Sequence, residues 1–168
     1  MSDARRAFAA APVSAFLATA FGAGLSPVAP GTAGSLVGLA IAWLLRSHAG
    51  IVGSPVGLLM SGLAVGLLGV AVSGPVCRAL AAEDPGCIVI DEVAGQLIAC
   101  AGVAWGWPAG APAWAWIASF VLFRGFDVVK PLGIRGLQAL PGGWGVVADD
   151  VLGGVYAAAA MAVVSRWG

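Results

Sequence analysis

The chain has 168 residues and a formal net charge of zero, with 60% hydrophobic and only 10% charged residues. A soluble domain is roughly 45–50% apolar and about 25% charged, so this composition excludes a conventional water-exposed surface and predicts that a bilayer solvates much of the protein. The balanced charge also excludes the basic field that holds nucleic acid, and we expect no nucleic-acid partner.

The first uncharged stretch covers residues 7–45. Segment 24–32 interrupts it with two prolines and two glycines, and we predict a loop there because proline clashes inside a helix. Two helical pieces remain, at about 7–23 and about 33–45. Each is short for a span of ~20 residues, so this region is expected either to span or to re-enter the membrane.

Two later stretches, 47–77 and 93–123, are each 31 residues long and free of charge. The first predicts one long span, whereas the second contains a proline-bearing turn at 105–112 between two helices. A last helix is predicted at about 146–164. The sequence therefore predicts an all-α, multi-spanning membrane helical bundle of five to seven helices, forming a single domain over residues 1–168.

The charged residues are concentrated in one part of the chain. Eleven of the sixteen formal charges lie between Arg78 and Asp150, and seven of the eight acids lie between Glu83 and Asp150. Acids that only solubilise a protein are scattered over its exposed faces. Here they form three groups: Glu83, Asp84, Asp91 and Glu92; then Asp127 with Arg124 and Lys130; then Asp149 and Asp150.

The middle group precedes Pro131 on a predicted helix. At 100° per residue, Arg124, Asp127 and Lys130 share one face. An i, i+3 ion pair is the simpler interpretation, but it contributes only about 0.2–0.5 kcal/mol, and charges at the end of a membrane helix are costly. We therefore favour a functional role for this face.

The two acid pairs resemble each other in context. Asp91-Glu92 and Asp149-Asp150 both follow a Gly/Pro turn, and each is followed by Val, an apolar residue and Gly. A glycine four residues after the first acid would share its face and allow close approach of another helix or a phosphate. Acids early in a helix also complement its dipole, at ~0.3–1 kcal/mol, but this explains two consecutive pairs less well.

Four carboxylates brought together would repel one another strongly unless a cation lay between them. Oxygen ligands without nearby histidine or thiolate suit Mg²⁺ better than zinc. With Arg124 and Lys130 beside it, such a metal outlines a phosphate site, in which metal-activated water is the nucleophile. Thr32, in the small-residue segment 31–35, is either an anion-binding helper at a helix N-terminus or a plain N-cap.

Other phosphatase chemistries lack their residues. His48 is the single histidine, so a mechanism with a histidine nucleophile and a second histidine as acid is excluded. None of the three cysteines is followed by an arginine six positions later, which excludes the usual cysteine-based loop.

The chain resembles the phosphatidylglycerophosphatase A family of bacteria over roughly residues 20–160. Four segments carry the resemblance: GLSPVAPGTAGS at 24–35, DPGCIVIDEVAGQ at 84–96, FRGFDVVKP at 123–131 and GGWGVVADDVLGG at 142–154. The resemblance implies an inner-membrane, Mg²⁺-dependent enzyme. It would remove the terminal phosphate from phosphatidylglycerophosphate, a membrane phospholipid, to yield phosphatidylglycerol and inorganic phosphate.

On this hypothesis the charged groups have distinct roles. Five carboxylates hold the metal or activate the water: Asp91, Glu92, Asp127, Asp149 and Asp150. Arg124 and Lys130 bind the phosphate, with Thr32 as a possible helper, and Asp84 is a weaker candidate metal ligand. Oligomeric state is left open.

Basic residues near the acids favour a multi-pass protein of the bacterial cytoplasmic (inner) membrane with its active site towards the cytoplasm. The alternatives are a phosphatase for another lipid phosphate monoester and an ion or solute carrier that uses intramembrane carboxylates. A carrier would place its acids mid-span along a path, whereas these acids lie at predicted helix starts and beside turns.

Overall fold

A computed structural model describes residues 3–131 and 133–167. Met1, Ser2, Leu132 and Gly168, which the predicted domain includes, lie outside the described residues. Within the described residues the chain forms α-helices and one 3₁₀ turn at Ala23–Leu25, with no strand. The helices are α1 (Asp3–Ala10), α2 (Pro12–Ala18), α3 (Pro30–His48), α4 (Pro55–Leu80), α5 (Ile90–Gly106), α6 (Ala113–Val129), α7 (Ile134–Leu137) and α8 (Gly143–Val164).

The all-helical prediction is confirmed, but the predicted number of helices is wrong: the described residues form eight α-helices, not five to seven. The first predicted piece, 7–23, is divided because Pro12 occupies the first turn of α2 and cannot continue α1. The four-residue helix α7 is too short to leave a periodic pattern in the sequence. Pro30 also starts α3 earlier than predicted, since proline is well suited to the first helical position.

Two helices, α4 and α8, are long and apolar enough to cross a membrane. Ser54 caps α4, where its side chain accepts a hydrogen bond from the Gly57 amide at 3.1 Å. Large apolar side chains on α4, such as Met60 and Leu67, are exposed. In water this exposure would be unfavourable, so these two helices fit association with a membrane.

Helix α5 lies at the centre of the fold. It packs against α3, α4, α6 and α8, and 14 of its 17 residues are buried. This explains why its sequence is apolar almost all round, as expected for a helix with neighbours on every side. The acids at its start are therefore held by the most constrained helix of the protein.

Helices α5 and α8 approach each other closely at Gly95 and Gly154. A Cβ on Gly154 would lie 3.0 Å from the Gly95 Cα, and one on Gly95 would meet the Asp150 carbonyl oxygen. Each glycine lies four residues after an acid, Asp91 on α5 and Asp150 on α8. Because residues four apart share a helix face, this crossing brings Asp91 and Asp150 together. Gly153, the glycine expected from the sequence, instead faces α6.

Candidate active site

A polar cavity of about 260 Å³ lies where the starts of α3 and α5, the end of α6 and the second turn of α8 converge. We call it the acid cavity. Its apolar wall includes Pro30, Ile88 and Val146. Its charged lining is Asp84, Asp91, Glu92, Arg124, Asp127, Lys130, Asp149 and Asp150.

The two acid pairs have the same local geometry. The Glu92 amide donates to Asp91 Oδ1 at 3.0 Å, and the Asp150 amide donates to Asp149 Oδ1 at 3.1 Å. The similarity that the sequence shows around the two pairs is therefore also a structural similarity. In both, an oxygen of the first carboxylate accepts a hydrogen bond from the backbone amide of the acid that follows it.

Three carboxylates converge closely enough to share one ion. Oxygens of Asp91, Glu92 and Asp150 lie within 4.8 Å of one another. Asp91 is 6% exposed and Asp150 3%, so water does little to screen their repulsion. Within the described residues, Glu92 Oε2 is buried without a hydrogen-bond partner. An orphaned oxygen in an all-oxygen group fits a hard cation such as Mg²⁺.

Two of the other three predicted ligands, Asp127 and Asp149, are paired with cations instead. Asp127 Oδ2 lies 2.5 Å from a terminal nitrogen of Arg124, and its Oδ1 lies 3.9 Å from Lys130 Nζ. Lys130 Nζ also donates to Asp149 Oδ2. Arg124 approaches Glu92 Oε1 at 3.9 Å. Arg124 and Lys130 form the cationic wall of the cavity, and these ion pairs connect it to the three-carboxylate group.

Lys130 ends α6 in the left-handed conformation, with φ of 49°, immediately before Pro131. Partial burial lowers the pKa of the Lys130 ammonium, but its hydrogen bond with Asp149 and the charges of Asp149, Asp127 and Asp150 outweigh that effect. The net pKa is raised above the ordinary value of lysine, so Lys130 stays cationic at neutral pH.

Asp84 is exposed at the rim of the cavity, in the loop between α4 and α5. Desolvation raises the pKa of its carboxyl, and the charges of Asp149 and Asp127 raise it further, while Lys130 opposes them. The Asp84 carboxyl therefore lies in the negative potential of the cavity, but it is not one of the three converging carboxylates.

The charge balance of the cavity is strongly negative. Its lining has six carboxylates and two cations, an excess of four negative charges when all are ionised. A phosphate monoester is itself anionic and would be repelled from such a site. Each bound divalent cation would cancel two of these four negative charges and so weaken the repulsion.

The structure brings together every predicted site residue except one. Thr32 lies in the first turn of α3 but does not line the acid cavity, so its role stays a prediction. Gly31 contributes a close approach to Glu92 and Arg124 that the sequence did not predict. A Cβ there would contact Glu92 Oε1 and approach Arg124 to 3.2 Å. The available signal was a glycine directly after the proline that starts a helix.

Comparisons with known proteins identify a family and several relatives of this chain. The family described as Phosphatidylglycerophosphatase A matches residues 16–165. A Bacteroides thetaiotaomicron protein, provisionally named a phosphatidylinositol-3-phosphatase, is 37% identical over 157 residues, covering 90% of this chain and 92% of that protein. No solved structure matches this chain.

Two relatives are named phosphatidylglycerophosphatase A. The Haemophilus influenzae protein is 36% identical, covering 90% of this chain and 88% of its own. The Escherichia coli protein is 34% identical, covering 84% of this chain and 77% of its own.

Proposed function

This chain is an enzyme of the phosphatidylglycerophosphatase A family, and we propose that it hydrolyses phosphatidylglycerophosphate to phosphatidylglycerol and inorganic phosphate. The observation that carries the proposal is the convergence of two acid pairs, 58 residues apart in sequence, on one cavity that also holds Arg124 and Lys130. Neither pair alone would form a phosphate site, and their union without cations would be repulsive.

Mg²⁺ is the cofactor we propose, held by Asp91, Glu92 and Asp150. When bound, it would supply Lewis-acid stabilisation of phosphoryl oxygens and lower the pKa of a water molecule. Asp127, Asp149 and Asp84 would complete the negative environment that attracts it. The support is the all-oxygen donor set, its burial and the orphaned Glu92 Oε2.

The reaction transfers the phosphoryl group to water. The water oxygen bonds to phosphorus, the bond from phosphorus to the headgroup oxygen breaks, and that oxygen takes a proton to become the alcohol of phosphatidylglycerol. Arg124 and Lys130 neutralise the phosphoryl oxygens as charge develops. Asp127 and Asp149 orient these two cations, and a carboxylate of the cavity accepts the proton that the water loses.

We also propose a multi-pass arrangement in the bacterial inner membrane, with the acid cavity at the cytoplasmic boundary. The two long apolar helices and the exposed apolar side chains support membrane association. Arg124, Lys130 and Arg135 lie at one end of α6 or just beyond it, and basic residues favour the cytoplasmic side. A lipid headgroup could then enter the cavity while its tails stay in the leaflet.

The Bacteroides relative supports a second candidate substrate, a phosphatidylinositol 3-phosphate. Both lipids carry a phosphate monoester on a polyol headgroup, so the chemistry at the acid cavity would be the same. Comparison of kcat/KM for the two lipids in identical mixed micelles would identify the preferred substrate.

The test of the proposed function is phosphate release by the purified, detergent-solubilised protein. We expect release from phosphatidylglycerophosphate with Mg²⁺, its loss with a chelator, and its recovery when Mg²⁺ is restored. Asp91→Asn or Asp149→Asn should reduce release by more than ~100-fold while the protein stays helical, since even outer-shell partners of a metal cost about 10–100-fold.

The matched control is Asp3→Asn, which alters the one acid outside the region from Glu83 to Asp150. It should retain wild-type activity. Metal-independent release, or near-normal turnover by the Asp91 variant, would refute the proposed site.

A further inference from the structure

A second cavity, of about 670 Å³, lies beside the acid cavity. Asp84 lines both, so the loop between α4 and α5 forms their shared wall. The second cavity is enclosed by the last turn of α4, this loop and the connection from α7 to α8. We call it the side cavity. The mechanism proposed above leaves it without a role.

Arg78 is the cation of the side cavity. It belongs to the last turn of α4 and is exposed. Within the described part of the chain its guanidinium has no ion-pair or hydrogen-bond partner, unlike the side chains of Arg124 and Lys130, whose charges are already paired with carboxylates. A cation at a helix C-terminus also stabilises the helix dipole, but that effect does not require a cavity around it.

Among the described residues that line the side cavity, Arg78 is the one cation, and the lining carries one net negative charge when all of its groups are ionised. Glu83 and Asp84 are carboxylates, and Gln138 is neutral. An anionic group that entered the cavity without Arg78 would meet only like charge and a neutral amide. With Arg78, it would meet a guanidinium whose planar fork matches two phosphate oxygens.

We infer that the side cavity binds the phosphodiester of the lipid headgroup, with Arg78 as its counter-charge, while the terminal monoester occupies the acid cavity. The inference rests on the proposed function. Phosphatidylglycerophosphate carries both groups, separated by a three-carbon glycerol, and therefore needs two neighbouring phosphate sites. A phosphoinositide shares the diester and differs in the polyol between them.

This arrangement assigns Arg78 a role in specificity. It would favour lipids with a diester over phosphatidate, in which the monoester is attached directly to diacylglycerol. A hydrogen-bonded contact to a charged group is typically strong enough that its loss weakens binding by roughly tenfold to a hundredfold. The chemical step at the acid cavity should be unaffected.

Two inhibitors distinguish binding at the side cavity from binding at the acid cavity. Phosphatidylglycerol retains the diester but lacks the monoester, whereas inorganic phosphate resembles the monoester alone. We expect Arg78→Gln to raise the KM for phosphatidylglycerophosphate and the inhibition constant of phosphatidylglycerol by roughly tenfold or more. The inhibition constant of inorganic phosphate should stay unchanged, and Arg78→Lys should restore part of the loss.

The control is Arg135→Gln, which removes an exposed arginine that lines neither cavity. This variant controls for the general attraction between a basic surface and anionic lipid, and it should change none of these constants. Wild-type constants in Arg78→Gln, or equal weakening of both inhibitors, would overturn the inference while leaving the proposed function intact. Absence of phosphate release by the wild-type protein would instead refute the proposed function.

Discussion

Replacement of Gly154 by alanine would test how the helix crossing positions the carboxylates. A Cβ at this position would lie 3.0 Å from both the Cα and the carbonyl carbon of Gly95, and closer still to its carbonyl oxygen. Ordinary contact begins at 3.4 Å. The opposing atoms are backbone, which cannot rotate away as a side chain can, so α5 and α8 must separate by at least about 0.4 Å.

This separation should affect activity far more than folding. Overpacking costs about 1–3 kcal/mol, and the exchange of glycine for alanine within a helix returns up to ~1 kcal/mol. Asp150 and Asp91 lie one turn before Gly154 and Gly95, so the shift moves the two carboxylates apart. A displacement of ~1 Å can cost about 100-fold in rate. We therefore expect kcat/KM to fall roughly tenfold to a hundredfold while the protein stays folded.

The assay is Mg²⁺-dependent phosphate release, with helix content and thermal unfolding measured by circular dichroism on the same preparation. Gly125→Ala is the matched control, since Gly125 is also helical and a Cβ there would have nothing within 4 Å. It should keep wild-type activity. Equal kcat/KM in Gly154→Ala and wild type would show that the crossing does not set the geometry of the site.

Two further substitutions, at Lys130 and at Gly31, test the cationic wall and the close approach at the start of α3. Lys130→Gln leaves Asp149, which is 3% exposed, without its ion-pair partner. We expect the free energy of unfolding, measured by chemical denaturation, to fall by about 3 kcal/mol, and the double variant with Asp149→Asn to recover most of this loss. No recovery in the double variant would mean that the two residues are not coupled. Gly31→Ala places a Cβ against the Glu92 carboxylate; phosphate release should fall roughly tenfold with little change in unfolding temperature, and unaltered release would exclude a positioning role for Gly31.

Much of this protein can be predicted from the order of its residues. Low charge content predicted helices in an apolar environment, and the prolines located the loop before α3 and the turn between α5 and α6, because proline cannot donate a backbone hydrogen bond. Clustering of the acids also identified the segments that line the acid cavity. These are local properties, and they can be recognised in the sequence because a helix has a fixed period. The short helix α7 and the division at Pro12 were missed because each involves too few residues to produce a period.

Which carboxylates meet was decided only by tertiary structure. Asp149 and Asp150 are adjacent in sequence and equivalent as residue types, yet Asp149 pairs with Lys130 while Asp150 joins Asp91 and Glu92. Consecutive helical residues point about 100° apart, so the packing of α8 against α5 and α6 assigns each acid its neighbour. That packing depends on two glycines far apart in sequence, and their close approach is a property of the folded chain alone.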